Sequence, residues 1–517
     1  MQTDITVHDT DQKQGNVMNN NINRCGSRKE KKMNGTTKTT TVAVLVTLGL
    51  TLSGNAAEGW PRWHGPLGTG QTPDSPALIA EAPTGGLKPI WSVPCLGADR
   101  GNDGNSSSPV IADGKVYAHS YVTKTKPAGA WTLDEGSVEA IGRDKVSSAA
   151  QKTIAPFAKA PKTWNDEASL KAWLEEQHLA GEDLAKVLKH AGEREYRVHT
   201  VLCVELKTGA PVWKKDIESG AGSWYGVHAT PYVDRGMLYW VDHDGAIHAA
   251  KAADGTEVWK SKPFVQQRYA GQNSSPVVIG DVLCLCHMNG VLGVRIDTGE
   301  LAWEVKGTRE KKNEGISNTE DNSGMIWSHQ GKQYFVTSTL DGLCCIDPSN
   351  GSLVWNVPGG RRYMTPVVIG DKVIRCFQNE VLINTLTLKG VTDEIKVPLK
   401  TGKFIAATMP VTDGKKVWWI LDPKTSSFCF DLDSGKEAWS IVASGNTWAT
   451  PILADGKLIS SWREPSGWAM LDAATGKVLF QASYAPDRAS FSSPAISGGF
   501  LVTRGWKNLY GYDLRKP

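Results

Sequence analysis

The chain has 517 residues, 40% of them hydrophobic, with 53 Gly, 26 Pro and 20 Trp. That length allows several ordinary domains or one large repeat architecture, and so many breakers point to short strands and turns, not helices. The formal charge is +3, and residues 1–56 alone carry an excess of three positive charges, so the remainder is near neutral and offers no electrostatic footprint for nucleic acid or a membrane surface.

The N-terminus reads as a targeting segment. A basic run, Arg28 to Lys32, precedes an apolar stretch of eleven residues, Val42 to Leu52, and then the small residues of "SGNAAEGW". Eleven residues are too few to span a bilayer, which needs roughly 20. The expectation is a signal peptide cut near Ala56, with Met33 as an alternative start to Met1, no membrane span, and a secreted or periplasmic product. No cysteine follows the apolar run to carry a lipid.

Beyond residue 57 two landmarks repeat. The first is a proline after a Ser, Thr or Met and before an apolar strand: Pro109, Pro231, Pro276, Pro366, Pro410, Pro451 and Pro494. The second is a glycine four residues before an aromatic, as in Gly209 and Trp213, Gly255 and Trp259, Gly299 and Trp303, Gly351 and Trp355, Gly435 and Trp439, and Gly476 and Phe480. They interleave with a period of about 40 to 45 residues, the length of a four-stranded propeller blade. Seven units carry the proline, and an eighth begins at Ile326 and Trp327 without it. The last unit stops before its outer strand, which "KPIWSV" (Lys88 to Val93, with Trp91) supplies from the other end of the repeat. The prediction is an all-β, eight-bladed propeller of four-stranded antiparallel blades, closed by an N-terminal strand. Trp91, Trp213, Trp259, Trp303, Trp355, Trp439 and Phe480 would dock each blade on the next.

The first blade is interrupted between Tyr121 and Val198. Leu170, Trp173, Leu174 and then Leu184, Val187, Leu188 fall at helical spacing, with Thr163, Asn165 or Asp166 as a cap and Gly181 between the helices. Residues 134–197 therefore read as a helical hairpin whose apolar stripe packs on the blades.

The cysteines follow the repeat as well. Counting back six residues from each repeat glycine gives Cys203, Ala249, Gly293, Cys345, Cys429 and Met470. These are slots for small or apolar strand residues, and cysteine packs as a small hydrophobe. Cys344 and Cys345 are adjacent, and neighbours on a strand point to opposite faces, with Cα atoms ~3.8 Å apart against the ~4.4 to 6.8 Å of ordinary disulfides. Packing is the expected role, and "CLCH" (Cys284 to His287) fits the same slots without requiring a metal.

The units "DLDSGKEAW" (Asp431 to Trp439), "LDAATGKVLF" and "IDPSNGSLVW" resemble the repeat of the pyrroloquinoline quinone (PQQ) β-propellers over residues 60–517, and "WPRWHGPLGTG" (Trp60 to Gly70) resembles the opening of a secreted PQQ-like subfamily. The superfamily includes quinoprotein dehydrogenases and the non-catalytic propeller subunit of the outer-membrane β-barrel assembly machinery. The resemblance implies a fold and leaves activity open. Its enzymes hold PQQ and calcium through Glu, Asn and Asp ligands, an aspartate base, a stacking tryptophan and a vicinal disulfide. None of these is matched to a position here, and Cys344 with Cys345 lies in a repeat strand.

If a ligand is held, the segments entering each inner strand converge on one channel mouth. They carry Arg100, Arg268, Arg361, Arg362, Lys403 and Arg488, the aromatics Trp224, Tyr269 and Trp448, and Asn322, a set suited to a small, flat anion. No Gly-x-Ser-x-Gly elbow, Walker loop or His-Glu-x-x-His occurs, and His64, His228, His243 and His287 are scattered over different units. The leading reading is a binding or assembly scaffold with cell-envelope protein partners. The alternative is a PQQ- and calcium-dependent alcohol or sugar dehydrogenase, and a sugar or peptide binder is a third.

Overall fold

The structure is a computed structural model. It describes residues 59–95, 107–219, 228–264, 274–287, 289–308, 316–317, 319, 322–360, 364–377, 380–398, 408–421, 426–442 and 449–517. The signal-peptide reading of residues 1–56 lies outside these.

Eight antiparallel blades form. The first comprises Val110–Ala112, Lys115–Pro127, Glu193–Glu205 and Pro211–Ser219. Blade 2 spans Tyr232–Asp234 to Glu257–Lys260, blade 3 Val277–Ile279 to Leu301–Thr308, blade 4 Gly324–His329 to Leu353–Pro358 and blade 5 Val367–Ile369 to Gly390–Pro398. Blade 6 spans Val411–Thr412 to Glu437–Ile441 and blade 7 Ile452–Ala454 to Val478–Ser483. Blade 8 takes its inner three strands, Ala495–Ser497, Phe500–Arg504 and Asn508–Asp513, from the end of the chain, and Trp91–Pro94 pairs as its fourth. The predicted closure is therefore observed, and neither terminal blade keeps an open edge there.

The landmarks have separate physical roles. Each repeat glycine ends a tight turn in the left-handed region, for example Gly299 at φ 74° and Gly351 at φ 74°. In five of the six its missing side chain also admits the indole of the preceding blade, Gly435 facing Ile395 instead: a Cβ on Gly351 would lie 2.7 Å from the Trp303 ring, and one on Gly299 2.5 Å from Trp259. The indole N–H then crosses to a backbone carbonyl of that next blade. Trp91 donates to Leu206, Trp213 to Ala252, Trp259 to Ile296, Trp303 to Pro348, Trp355 to Thr387 and Trp439 to Ala473, at 2.7 to 3.0 Å. Phe480 is buried at the corresponding position of blade 7. The small slot is the residue directly opposite each aromatic: Cys203 faces Trp213, Gly293 faces Trp303, Cys345 faces Trp355 and Cys429 faces Trp439. Cysteine stands there because little more than a thiol fits under an indole.

The residue before each repeat proline forms a belt around the channel. The backbone N–H of Ser108 donates to the Thr230 hydroxyl, that of Thr230 to Ser275, Ser275 to Ser323 and Ser323 to Thr365. The belt resumes from Met409 to Thr450, Thr450 to Ser493 and Ser493 back to Ser108. Thus seven of the eight blade-to-blade steps among the described residues are bridged by a hydroxyl, and the step from Thr365 faces Met409, which has none.

Below the belt the channel is crossed by the chain itself. Gly59–Trp60 pairs with the inner strand of blade 1, and Pro61 accepts from Val233 of blade 2. Trp63 packs on the cores of blades 4 to 6, Thr69 accepts from Thr412 of blade 6, and Gly70 bonds Leu453 of blade 7. Trp60, Arg62, His64 and Thr69 are buried in this plug. A cavity of about one water molecule lies between Trp60, Trp63 and His64 below and the belt residues Ser108, Thr450 and Ser493 above.

The insertion stands at the other end. Val110 pairs with Tyr117 and Ala112 with Lys115, so the second strand runs on to Pro127 past the start of the inner strand, paired throughout with Glu193–Glu205. This ribbon carries α1 (Glu135–Arg143), α2 (Ser148–Ile154), α3 (Glu167–Glu176) and α4 (Gly181–Gly192) on the mouth side. Asp166 caps α3, as one of the predicted caps, by accepting from the Ser169 N–H. The packing expectation is corrected: the apolar stripe does not lie on the blades. Leu170, Leu174, Leu184 and Val187 close against Leu133, Ile141, Ile154 and Trp164 in a core made only of insertion residues. Two further short helices supply the apolar faces that make this enclosure complete.

Candidate functional site at the channel mouth

Of the residues expected at the mouth, Arg100, Trp224, Arg268, Tyr269, Arg361, Arg362, Lys403 and Trp448 lie outside the described residues. Asn322 is fully buried, its amide donating to the Ser338 carbonyl at 3.0 Å and its oxygen accepting from the Met364 N–H at 2.6 Å, which ties blade 4 to blade 5. Arg488 is exposed, and its carbonyl accepts from the Trp506 N–H at 2.6 Å.

Cys344 and Cys345 sit side by side on the third strand of blade 4 as free, buried thiols. Cys344 enters the core shared with blade 3 and Cys345 the core shared with blade 5. Burial pushes both thiols up, Cys345 to about 12. Among the described residues no three His, Cys, Asp or Glu side chains converge in a metal-holding arrangement.

What they do build is a buried polar cluster where blades 8, 1 and 2 meet at the mouth. His119 is on the second strand of blade 1 and His199 on the third, diagonal neighbours on one face because Tyr121 pairs with His199. His243 comes from the turn after the second strand of blade 2. The three imidazoles join in line: His119 Nε2 to His199 Nδ1 at 2.7 Å, and His199 Nε2 to His243 Nδ1 at 3.0 Å. The rings of His119 and His199 stack with centroids 5.0 Å apart, and Tyr121 meets His243 edge-on at 4.1 Å. Burial, more than any neighbour, holds all three far below the ordinary histidine range, His119 at about 3. They are neutral, and their tautomers follow from the backbone. The His243 N–H donates to His199 Nε2, so the His199 proton sits on Nδ1 and is given to His119 Nε2, which leaves the His119 proton on Nδ1. Because His199 turns its two nitrogens to two different rings, the trio is a chain and not a convergent ligand set.

Beside it, His248 stacks on Trp240 at 4.8 Å and bonds the fully buried Asp242 at 2.9 Å, and Lys260 reaches the same carboxylate at 3.1 Å. From the other side, Arg504, at the end of the second strand of blade 8, donates from Nη1 to the carbonyls of Ser107 and His119, each at 2.8 Å. Two of the histidines read as scattered thus meet: His243 in the chain, and His228 close enough for Arg504 to lower it, after burial, to about 4. Reading the sequence missed His119, His199 and Arg504. The available signal was titratable residues within the apolar stretches of strands, as in "VYAHSY", "VHTVLCV" and "FLVTR".

Residues 167–383 match a family described as outer membrane protein assembly factor BamB. Among solved structures, a quinohemoprotein alcohol dehydrogenase from Comamonas testosteroni is similar at 13% identity and a TM-score of 0.52, over 90% of this chain and 82% of that one. A europium-containing methanol dehydrogenase is similar at 11% identity and 0.53, over 87% and 90%. BamB from Moraxella catarrhalis gives 12% identity and 0.46, over 62% and 89%. No curated protein matches. Identities this low speak to fold alone: the chain shares the propeller fold of the two dehydrogenases, and the family match is confined to residues 167–383.

Proposed function

We propose that the protein is a non-catalytic binding or assembly scaffold of the periplasm or cell envelope, with protein partners meeting its mouth face. The observation that carries this reading is the helical module. It has its own core, so the blades do not need it for their packing, and it is raised on a 13-residue ribbon over the mouth side, adding surface where a propeller meets its ligands. The match to an outer-membrane assembly factor over residues 167–383 supports the same reading. The apolar run Val42 to Leu52 supports export, and no described helix is long and apolar enough to cross a membrane. The plug below the belt and the separation of Cys344 from Cys345 weigh against a quinone enzyme.

The test has two arms. Purified protein is titrated with PQQ with and without calcium, followed by absorbance, thermal shift and dye-linked oxidation of simple alcohols and sugars. Stoichiometric, calcium-dependent binding with turnover would replace the scaffold by a dehydrogenase. In the second arm residues 128–192 are replaced by a short Gly-Ser turn, and envelope crosslinking is compared with the full chain. The scaffold reading expects an intact propeller that has lost a specific crosslinked partner.

A further inference from the structure

Arg504 is completely buried, and among the described residues no carboxylate pairs with it. Its Nη1 is committed to the carbonyls of Ser107 and His119 across the junction of the last and first blades. Its Nε and Nη2, also buried, have no partner. Those two N–H groups lie on one edge of the planar guanidinium and point the same way, which is the fork that receives two oxygens of an oxyanion.

A second buried arginine in the ring shows what a satisfied edge looks like. Arg375 of blade 5 likewise sends Nη1 to two carbonyls, those of Pro358 and Gly359, both at 2.8 Å. Its Nε, however, donates to the Asn384 oxygen at 3.0 Å, and its Nη2 faces Glu394 at 3.7 Å. Among the described residues nothing equivalent is supplied to Arg504. The neighbouring groups are further donors. The hydroxyls of Ser107 and Ser120, which flank the two gripped carbonyls, are buried without partners, as is His119 Nδ1, which carries its ring's proton. A buried cation with unused donors beside it and no carboxylate paired to it among the described residues is unfavourable unless an anion joins it.

We propose that the junction of blades 8 and 1 is an oxyanion-binding site in which the Nε and Nη2 edge of Arg504 receives a carboxylate or phosphoryl group, with the Ser107 and Ser120 hydroxyls and His119 Nδ1 as further donors. The site takes a small anion or the anionic tip of a larger ligand entering from the mouth. It is independent of whether the mouth face also meets a protein.

The full chain, dialysed free of oxyanions, is titrated calorimetrically with inorganic phosphate and separately with acetate. One-to-one binding of at least one is expected, weakened at least tenfold in Arg504→Lys, which keeps the charge and loses the fork, and unchanged in Arg515→Lys at a surface ion pair beside Phe500, at the opposite end of the strand from Arg504. Phosphate alone would assign a phosphoryl ligand, acetate alone a carboxylate. Should Arg504→Lys fail to fold, crystals of the unaltered protein grown with selenate or with bromoacetate locate the anion by anomalous scattering, and a peak within hydrogen-bond reach of Arg504 Nε and Nη2 is expected. Absence of binding by both anions, binding undiminished in Arg504→Lys, or a peak elsewhere overturns the proposal.

Discussion

Replacing Gly351 by alanine separates the two reasons for the repeat glycine. The first is conformational: φ is 74°, and a left-handed alanine costs about 1–2 kcal/mol. The second is contact: the new Cβ would lie 2.7 Å from Cγ and Cδ2 of Trp303, a ring only 8% exposed and tied to the Pro348 carbonyl at 2.7 Å. That ring cannot retreat toward its own blade, where Gly293 sits directly opposite and leaves space for no side chain. Overpacking of this kind costs about 1–3 kcal/mol, so the single substitution should cost about 2–5 kcal/mol. In a Trp303→Leu background the contact part vanishes and only the backbone part, about 1–2 kcal/mol, remains. Urea midpoints by far-ultraviolet circular dichroism on the four proteins of the cycle give the coupling, expected at about 1–3 kcal/mol. Equal costs in both backgrounds would mean that the glycine serves its turn alone, and inter-blade docking through Gly351 and Trp303 would be refuted.

Three further outcomes follow from the buried polar groups. Ser493→Ala removes the acceptor of the Thr450 N–H and should cost about 1–3 kcal/mol, read as a lowered urea midpoint, whereas an unchanged midpoint would show that the belt is incidental. His119 is neutral in the fold with its value held at about 3 against 6.5 when unfolded, so the unfolded chain binds the extra proton and stability falls as pH drops from about 6.5 toward 3. His119→Gln should therefore flatten the loss between pH 6.5 and 4.5 by up to about 1.4 kcal/mol per pH unit, and a slope equal to that of the unaltered protein would contradict the burial argument. The eight described cysteines are buried thiols, with Cys203, Cys345 and Cys429 pushed up to about 12. At pH 8 iodoacetamide should leave them unmodified until urea unfolds the protein, and rapid labelling of Cys344 or Cys345, or a disulfide between them by mass spectrometry, would restore a redox role.

Repeated features could be read before the fold was seen. The blade number, the docking aromatics and the packing role of the cysteines each rest on a spacing that recurs six or more times, and the closing strand at Trp91 on the one strand that the repeat leaves missing; a repeat averages away local ambiguity. Features that occur once were harder. His119 and His199 are 80 residues apart, separated by the helical module, and meet only because the ribbon pairs Tyr121 with His199. Short helices such as Ser148–Ile154 carry too few turns for a clear period, so the insertion read as a hairpin with one stripe instead of a module with its own core.

The repeat itself indicates where this propeller does something particular. Around most of the ring, the mouth ends of the second strands hold apolar or hydroxyl side chains such as Ile420 and Thr337, with partners within the blades. At blades 8 and 1 the same level holds Arg504 and His119, and in blade 2 Asp242 follows Val241 at that level, each of the three polar groups costly to bury. A fold that needed only docking would place valine or cysteine there, as it does in blade 3 with Cys286. Buried arginine and histidine occur elsewhere in the ring, as Arg375 in blade 5 and His287 in blade 3. The guanidinium edge of Arg375 is satisfied, however, whereas this sector leaves donors of Arg504, Ser107, Ser120 and His119 unused, which supports the proposed site. That sector is also the one from which the helical ribbon rises: the second strand of blade 1, which carries His119 and Ser120 beside Arg504 of blade 8, runs on into the ribbon that bears the helical module.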